Sequence, residues 1–423
     1  MSIQIFAGVV FVLGYIAIAL EHPLKVSKAA IALLIGGALW IIVALNGVDH
    51  LRLELLEAGG EIFELIVFLL AAMSLIEILL HYQFFDVIRG KLFALRLSEK
   101  QQFLIISLIA FFLSAVIDNL TTTIVMIQIA RKFFKGENLL IAVAGIVIAA
   151  NAGGAFSPIG DVTTIMLWLG GKFGTFEIIW KAVLPALVLF GIAAAFLASK
   201  IKQETPDETN EVITRLGRSE KLIIGLVFTA FTFPIIMNFI GLPPYLGLLL
   251  GLALVWLAVE TIRQIRPKET HLGASIEEFI KRTDIPSLKF FIGILLAVSA
   301  LHALGVLTVV SEAIFGPAPE AMRVIGGNVL LGFLSAIVDN VPLTAIAMEI
   351  LHAPDTSFWV LLALTAGTGG SLLIVGSAAG VVAMGMVKEL TFIKYFKIAF
   401  VPALVGFLAA VGVWSFQYFM LGW

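Results

Sequence analysis

The sequence predicts an all-α polytopic membrane protein built from two inverted repeats. First, 60% of its 423 residues are hydrophobic and only 13% are charged, whereas soluble domains have roughly 45–50% apolar and 25% charged residues. Second, apolar runs of about 20 residues, the length that crosses a bilayer, recur along the chain. Third, the second half repeats motifs of the first at constant spacing, as in repeat-built transporters.

Plain apolar runs mark eight of the predicted crossings. In the first half they are Ile3–Leu20, Ala29–Asn46, Ile62–Tyr82 and Phe176–Ser199, and in the second Lys221–Ile240, Tyr245–Thr261, Ser287–Val310 and Phe392–Phe419. No Lys or Arg precedes the first run and no small-residue cleavage site follows it, so we expect a retained span rather than a signal peptide.

Four further apolar segments are interrupted by polar residues. Leu139–Leu169 and Phe358–Val387 contain Gly-rich polar stretches, and Phe103–Phe134 and Ala321–Leu351 carry Asp-Asn at their centres. A polar stretch at 200–219 separates the two halves. We therefore predict repeat one at 1–199, a cytoplasmic linker at 200–219 and repeat two at 220–423.

The two halves correspond residue by residue. FLSAVIDN, ending in Asp118-Asn119, matches FLSAIVDN, ending in Asp339-Asn340, at a shift of 221 positions. Gly153-Gly154 and Gly160 match Gly369-Gly370 and Gly376 at a shift of 216. An internal duplication is the simplest explanation.

Basic residues at both ends of Phe103–Phe134 indicate a re-entrant hairpin, since a full crossing would put one cluster on the wrong side of the membrane. Each half then makes five crossings, one of them a broken helix, and an odd number inverts the second half. This arrangement puts 23 of the 27 Lys and Arg residues on one side, which the positive-inside rule assigns to the cytoplasm. Both termini are therefore predicted outside.

Asp118, Asp161 and Asp339 lie deep in apolar segments, where an ionised carboxylate costs at least about 2.5–3.5 kcal/mol. A structural carboxylate held by a basic or backbone donor is one interpretation, but no basic residue lies at matching depth. The other is that each carboxylate holds either a proton or a cation, the two states that an antiporter exchanges.

Oxygen-bearing side chains surround these carboxylates, and small hard cations prefer oxygen ligands. Breaks at Gly153, Gly154, Pro158 and Gly160 free further carbonyls, although a kink or close helix packing also accounts for such glycines. The second half has Ser377 where the first has Asp161, and fewer oxygen ligands overall. We therefore place the principal site in repeat one, at Asp118, Asn119, Thr122, Asn151, Ser157, Asp161, Thr163 and Thr164, with a secondary shell of Asp339, Asn340, Thr344, Thr368, Ser371 and Ser377.

Other polar residues in apolar segments have open roles. Glu64, Glu77 and His81 share one predicted helix, where interfacial solvation and a proton pathway both account for them. His302 is either a packed core histidine or a pH sensor.

The motifs FLSAVIDNLTTTIVM, NAGGAFSPIGDVTTIMLW, FLSAIVDN and GTGGSLLIVGSAAG resemble those of NhaD-type sodium/proton antiporters, in the ion-transporter superfamily that also holds citrate and dicarboxylate carriers. The resemblance implies inverted repeats and exchange of Na⁺ or Li⁺ for H⁺ across the inner (cytoplasmic) membrane. It assigns function to Asp118, Asn119, Asp161, Thr163, Thr164, Asp339, Asn340 and Glu64. Aspartate precedes the tip asparagines here, which disfavours an anionic substrate.

We expect Asp118 and Asp161 to bind either Na⁺ (or Li⁺) or protons, so that competition couples the two fluxes. A sodium-coupled citrate or dicarboxylate symporter is the first alternative, and an ion channel, which couples no gradients, is the second.

The expected partners are the lipid bilayer, Na⁺ or Li⁺, and H⁺. A net charge of −2 gives no case for nucleic acid. The chain has no Cys and no phosphate-binding GxxxxGK or HExxH motif, so we expect neither an enzyme nor a cofactor. The oligomeric state, including a homodimer, stays open.

Overall fold

The computed structural model describes residues 3–47, 51–95, 97–202, 216–265, 281–316 and 320–423. Residues 203–215 of the predicted linker lie outside the described residues, as does the basic residue Arg96. All regular structure in the described ranges is helical. In chain order the helices are α1 Ile3–Ala19, α2 Glu21–Leu24, α3 Lys28–Leu45, α4 Leu51–His81, α5 Phe84–Ala94, α6 Glu99–Ser114, α7 Asn119–Phe133, α8 Gly136–Gly154, α9 Val162–Leu169, α10 Thr175–Lys200, α11 Arg218–Ala230, α12 Phe233–Phe239, α13 Pro244–Ile265, α14 Ile285–Ala303, α15 Val306–Ile314, α16 Ala321–Ser335, α17 Asn340–Ile350, α18 Ser357–Gly369, α19 Ala378–Met386 and α20 Phe392–Leu421.

The chain is a multi-pass membrane protein. Among the described residues, eight helical stretches are long and apolar enough to cross a bilayer, namely α3, α4, α8, α10, α11 with α12, α13, α14 and α20. The apolar run that begins at Ile3 forms a helix of only 17 residues.

Two runs that we predicted as continuous are divided. In the run Ser287–Val310, one helix ends at Ala303 and the next begins at Val306. The division occurs because Gly305 has φ of +70°, a left-handed conformation that ends an α-helix. Lys221–Ile240 divides after Ala230, and Pro234 lies in the first turn of the next helix, where a missing N–H costs no hydrogen bond.

The chain forms two compact units that do not coincide with its two halves. One unit comprises Met1–Gly59, Ser98–Glu204 and Phe290–Trp423, and the other comprises Gly60–Leu97 and Thr205–Lys289. The hairpins, the broken helices and the three deep aspartates all belong to the first unit. The division into repeats is a relation of sequence and stays a prediction.

Helices α6 and α7 form a helical hairpin against α8. The Asn138 amide near the start of α8 donates to Glu99 Oε2 (2.6 Å), and Ser114 Oγ at the end of α6 donates to the Ala150 carbonyl (2.6 Å). Helix α6 therefore runs in the same direction as α8. Since α7 begins beyond Ser114 and ends at Phe133, just before α8, it runs back to the level of Glu99.

Helices α16 and α17 repeat this arrangement against α18. The Asn328 amide donates to the Phe358 carbonyl (2.9 Å), and Ser335 Oγ donates to the Ala366 carbonyl (2.7 Å). Ser335 lies 221 positions after Ser114, and Ala366 lies 216 positions after Ala150. The spacing found in the sequence thus reappears as equivalent hydrogen bonds.

Both hairpins touch their broken helices backbone to backbone. A Cβ at Gly153 would lie 1.9 Å from the Phe111 carbonyl oxygen, and one at Gly369 would lie 2.0 Å from that of Gly332. Only glycine permits such contact. These contacts place the hairpin tips beside the breaks in the neighbouring helices.

The two Gly-rich segments are broken helices, as the sequence predicts. The first is interrupted between Gly154 and Val162, and the second between Gly369 and Ala378, with a short 3-10 turn at Ile374–Gly376. Peptide groups in such breaks lack their usual helical partners, so they are available to other groups.

Helices α10 and α20, which follow the two broken helices, pack against each other in opposite directions. Trp180 near the start of α10 lies beside Trp423, just beyond the end of α20, with ring centroids 5.4 Å apart. At the other end, Lys200 Nζ donates to the Ile398 carbonyl at 3.0 Å. This one pair of helices, each of which follows a broken helix, is therefore antiparallel.

Candidate functional site

Four polar side chains occupy N-cap positions where the hairpins turn and the broken helices resume. Asp118 precedes α7, Asp161 precedes α9, Asp339 precedes α17 and Ser377 precedes α19. The first N–H groups of a helix have no helical acceptor, so side-chain oxygens at this position stabilise it, and the helix dipole favours negative charge there.

A first chain of buried hydrogen bonds joins the tip of the first hairpin to both broken helices. Asn119 Nδ2 donates to Asn151 Oδ1 (3.0 Å), and Asn151 Nδ2 donates to Ser371 Oγ (2.9 Å) and to Ser377 Oγ (3.1 Å). All four side chains are buried. This series of hydrogen bonds therefore connects residues from both halves of the sequence.

A second chain of hydrogen bonds centres on Asp161, which is 2% exposed. Its Oδ2 atom accepts from Thr163 Oγ1 (2.6 Å) and from Asn340 Nδ2 at the tip of the second hairpin (3.2 Å). The Thr164 hydroxyl accepts from Asp161 N–H at 3.2 Å and donates to its carbonyl at 2.8 Å. The predicted residues Asp161, Thr163, Thr164 and Asn340 thus lie together.

The two series of hydrogen bonds are related by the correspondence between the two halves of the sequence. Asn340 matches Asn119, and Asp161 matches Ser377. Gly367 takes the place of Asn151, and a Cβ there would lie 3.3 Å from Asp161 Oδ2. The second hairpin tip therefore reaches the carboxylate directly, whereas the first reaches its serine through Asn151.

The carboxylates at the hairpin tips are half-buried and locally bonded. Asp118 Oδ1 accepts from Thr121 N (2.8 Å) and Oδ2 accepts from Thr121 Oγ1 (2.7 Å). Asp339 Oδ1 accepts from Val341 N at 3.1 Å.

None of these three carboxylates pairs with a basic side chain in the part of the chain that the structure describes. Ion pairs found there include Arg89–Asp86, Lys181–Glu177, Lys202–Glu137 and His302–Glu349. The interpretation of the three aspartates as structural carboxylates therefore has no basic donor to support it among the described residues, whereas backbone N–H groups do hold Asp118 and Asp339.

The remaining predicted residues are arranged differently. Thr122 is buried and its hydroxyl donates to the Ile117 carbonyl (3.3 Å) inside the first tip. Ser157 lies in the first break, where its hydroxyl accepts from Ile159 N at 3.4 Å. Glu64 lies on α4 in the other compact unit, so its role stays a prediction.

Two tyrosines that were not among the predicted site residues contact the site. Tyr15 on α1 accepts a hydrogen bond from Asp339 N (3.0 Å), and Tyr395 on α20 donates to the Ser371 carbonyl (2.8 Å). Tyr15 is the only hydroxyl-bearing residue in the run from Ile3 to Leu20. That isolated hydroxyl was the available signal, since a tyrosine hydroxyl in an apolar environment generally finds a partner.

The described residues contain no group of three or more His, Cys, Asp or Glu side chains that could hold a metal ion. A cation bound here would be held by one or two carboxylates and by neutral oxygens. Carboxylate, hydroxyl and amide oxygens are the ligands that hard cations prefer.

Comparison with known proteins supports a transport role. Residues 15–367 match the family model CitMHS, described as citrate transporter. The chain is 36% identical to sodium/proton antiporter 2 of Arabidopsis thaliana over 96% of its own length and 97% of that protein. It is 34% identical to Arabidopsis sodium/proton antiporter 1 (96% and 71% of the two chains) and 31% identical to the Na⁺/H⁺ antiporter NhaD of Vibrio cholerae (92% and 87%).

Proposed function

This chain belongs to the NhaD-type sodium/proton antiporters, in the superfamily that includes the citrate transporters, and we propose how its buried carboxylates couple the two ions. It is a transporter that exchanges Na⁺ for H⁺. Li⁺ is a second substrate by our proposal.

The observation that carries the mechanism is the contrast between Asp161 and Ser377. Both occupy the N-cap position at the resumption of a broken helix, and Ser377 Oγ accepts from Gly380 N at 3.1 Å. Capping at this position therefore needs no charge. An ionised group that is 2% exposed in a membrane protein is costly, so the charge of Asp161 has another use, which we assign to binding the cation.

The Na⁺ ligands that we propose are the Asp161 carboxylate, the Thr163 hydroxyl and the amide oxygen of Asn340. Thr163 and Asn340 both contact Asp161 Oδ2 in the structure. Rotating the Asn340 amide by 180° replaces its NH₂ donor by an oxygen that can face a cation. Asp118 and Asp339 add negative charge nearby.

Protons and Na⁺ compete for this carboxylate. Protonation of Asp161 removes the charge that holds Na⁺, and Na⁺ binding disfavours the proton. A proton arriving from one side of the membrane thus releases the cation to that side. The first series of hydrogen bonds is a neutral polar counterpart of the Asp161 site. We propose it as a second, weaker ion position on the path, formed by Asn119, Asn151, Ser371 and Ser377.

Inverted repeats with re-entrant hairpins form the structural part of the proposal. The antiparallel pair α10 and α20 supports the inversion, because these helices occupy equivalent places in the two halves. The hairpin arms support re-entry, because α6 has 16 residues and α7 has 15, fewer than the roughly 20 that span a bilayer. The two tips then approach the midplane from opposite sides, and movement of the hairpin-bearing parts against the other helices alternates access.

We propose a cytoplasmic-membrane location with both termini outside. The support is the concentration of 23 of 27 Lys and Arg residues on one predicted side. No cofactor enters the mechanism, and the homodimer remains a proposal for assembly.

Sodium-coupled uptake of citrate or a dicarboxylate is the second candidate, favoured by the description of the matching family model. Asp118 and Asp339 at the hairpin tips, which have no basic partner among the described residues, disfavour it, because a multivalent anion would meet like charge there.

Proteoliposomes containing the purified protein and a pH dye test the proposal. With the interior acid, added external Na⁺ or Li⁺ should raise the internal pH, and Asp161→Asn should abolish the response. If labelled citrate accumulates in a Na⁺-dependent manner and Na⁺ alone leaves the internal pH unchanged, the second candidate replaces the first.

A further inference from the structure

The two hairpin tips are stabilised by different residues. At the first tip, Asp118 accepts from both the backbone N–H and the hydroxyl of Thr121, the third residue of α7. This is the usual N-cap bond, from the third helical residue back to the capping side chain. The corresponding position of the second tip, 221 residues later, is Pro342, which has neither an N–H nor a hydroxyl group.

The second tip therefore lacks the bonds that hold the first. Asp339 Oδ1 takes its hydrogen bond from Val341 N instead, at 3.1 Å. The tip gains a contact from a distant part of the chain, since Asp339 N donates to the Tyr15 hydroxyl at 3.0 Å across 324 positions of sequence.

Tyr15 is well placed to hold this tip. It lies on α1, which packs against α3, and its ring lies 6.1 Å from that of Phe11 on the same helix. The Gln4 amide at the start of α1 donates to the Leu304 carbonyl at 3.3 Å. The Tyr15 hydroxyl therefore projects from a helix that is fixed by other contacts.

We propose that Tyr15 is a positioning residue for ion exchange, which replaces the missing Thr121 equivalent and sets the orientation of Asp339 and Asn340 toward Asp161. The inference rests on the proposed function, because Asn340 is the tip residue that contacts Asp161 Oδ2, at 3.2 Å. Tyr15 acts through the backbone of Asp339, so its loss alters how well the cation and the proton bind.

The test compares Tyr15→Phe with the double variant Tyr15→Phe/Pro342→Thr in proteoliposomes. Tyr15→Phe keeps the ring and removes the hydroxyl. Loss of one hydrogen bond should raise the apparent KM for Na⁺ roughly five- to tenfold and shift the pH profile of exchange. Pro342→Thr supplies the N–H and hydroxyl found at the first tip, so the double variant should recover the wild-type KM and pH profile.

Tyr245→Phe is the matched control, because the Tyr245 ring packs on Phe63 (5.8 Å) and its hydroxyl has no hydrogen bond within the described residues. It should leave KM and the pH profile unchanged. Wild-type KM and pH profile in Tyr15→Phe would overturn the inference. So would a loss of rate in that variant, at unchanged KM, that Pro342→Thr does not repair.

Failure of the proposed function gives a different result. In that case the wild-type protein itself shows no Na⁺-dependent pH change. If Tyr15→Phe does not accumulate, an active, well-accumulated double variant supports the inference, and a double variant that also fails to accumulate overturns it.

Discussion

Asn340 Nδ2 lies 3.2 Å from Asp161 Oδ2, although 179 positions separate the two residues in the sequence. One belongs to the tip of the second hairpin and the other to the first broken helix. The buried carboxylate is therefore shared between the two halves of the chain. Any movement of the second hairpin relative to the first broken helix changes the surroundings of the proposed ion-binding group.

The charge of Asp161 is the first point to test. Asp161→Ser installs the residue that the second half uses for the same N-cap, so we expect the protein to accumulate. Its Tm should fall modestly, because Thr163 and Asn340 lose their shared acceptor. Exchange should fall to the level of protein-free liposomes, because no charge remains to bind Na⁺ or a proton. Asp86→Asn removes an aspartate that is ion-paired with Arg89 and partly exposed, and it should retain exchange. Activity in Asp161→Ser would contradict the assignment.

The hydrogen-bond chain through Asn151 should contribute to stability. Asn151→Ala leaves Asn119, Ser371 and Ser377 without their shared partner. Each buried polar group left unpaired costs about 1–3 kcal/mol, so the Tm of the detergent-solubilised protein should fall. Asn46→Ala is the control, because Asn46 is exposed and its amide bonds only to the Ile42 carbonyl. Equal Tm values for the two variants would show that the hydrogen bonds through Asn151 add nothing to the stability of the protein.

The space beside Asp161 is limited by Gly367. An alanine there would place a methyl group 3.3 Å from Asp161 Oδ2 and 3.4 Å from the Ala155 side chain. We expect Gly367→Ala to raise the apparent KM for Na⁺ on the order of tenfold, about 1.4 kcal/mol, and to raise that for the smaller Li⁺ less. Gly37→Ala, where the added methyl group meets no atom within 4 Å, should leave both values unchanged. A uniform loss for both ions would exclude a steric limit at this position.

Contact between hairpin and broken helix depends on Gly153 and Gly369. Alanine at either position would collide with a backbone carbonyl oxygen, at 1.9 Å and 2.0 Å. Such overpacking costs about 1–3 kcal/mol or more, so both variants should show strongly reduced Tm or accumulation. Gly191→Ala in α10 has open space and should be neutral or slightly stabilising, because alanine favours helix. Wild-type stability in Gly153→Ala would mean that the hairpin does not pack so closely.

Re-entry of the first hairpin can be tested directly, because the chain has no native cysteine. Single cysteines at the exposed positions Lys100, Lys135 and Gly174 are labelled in right-side-out and inverted vesicles with a membrane-impermeant maleimide. We expect Lys100→Cys and Lys135→Cys to react from the cytoplasmic side and Gly174→Cys from the other side. Labelling of Lys100→Cys and Lys135→Cys from opposite sides would show that the segment crosses the membrane.

Much of the architecture follows from local sequence. Apolar runs mark most of the long helices, because hydrophobic length reports directly on a bilayer span. The glycine pairs at Gly153 and Gly369 mark where the broken helices stop. The divided helix at Gly305 was missed, because a single glycine inside an apolar run is often tolerated and its φ depends on the surrounding packing.

In the candidate site, too, the sequence predicted contacts between neighbours in the chain but not contacts between distant residues. Asp161, Thr163 and Thr164 could be grouped from sequence because they are neighbours in one segment. We placed Asn340 in a secondary shell, whereas its amide contacts Asp161 itself. Tyr15 was missed because nothing in an apolar first helix indicates which residue it will meet 324 positions later.

The sequence by itself showed that most of this protein lies in a lipid bilayer. It also showed which segments are duplicated and which residues carry a charge that is costly in a membrane. These properties depend on composition and spacing, which are local. Only the tertiary structure decided that Asp161 meets the tip of the opposite hairpin and that the Asp339 N–H meets the Tyr15 hydroxyl. Those pairings arise because helices approach until backbone touches backbone at a few glycines, and that packing decides which distant side chains meet.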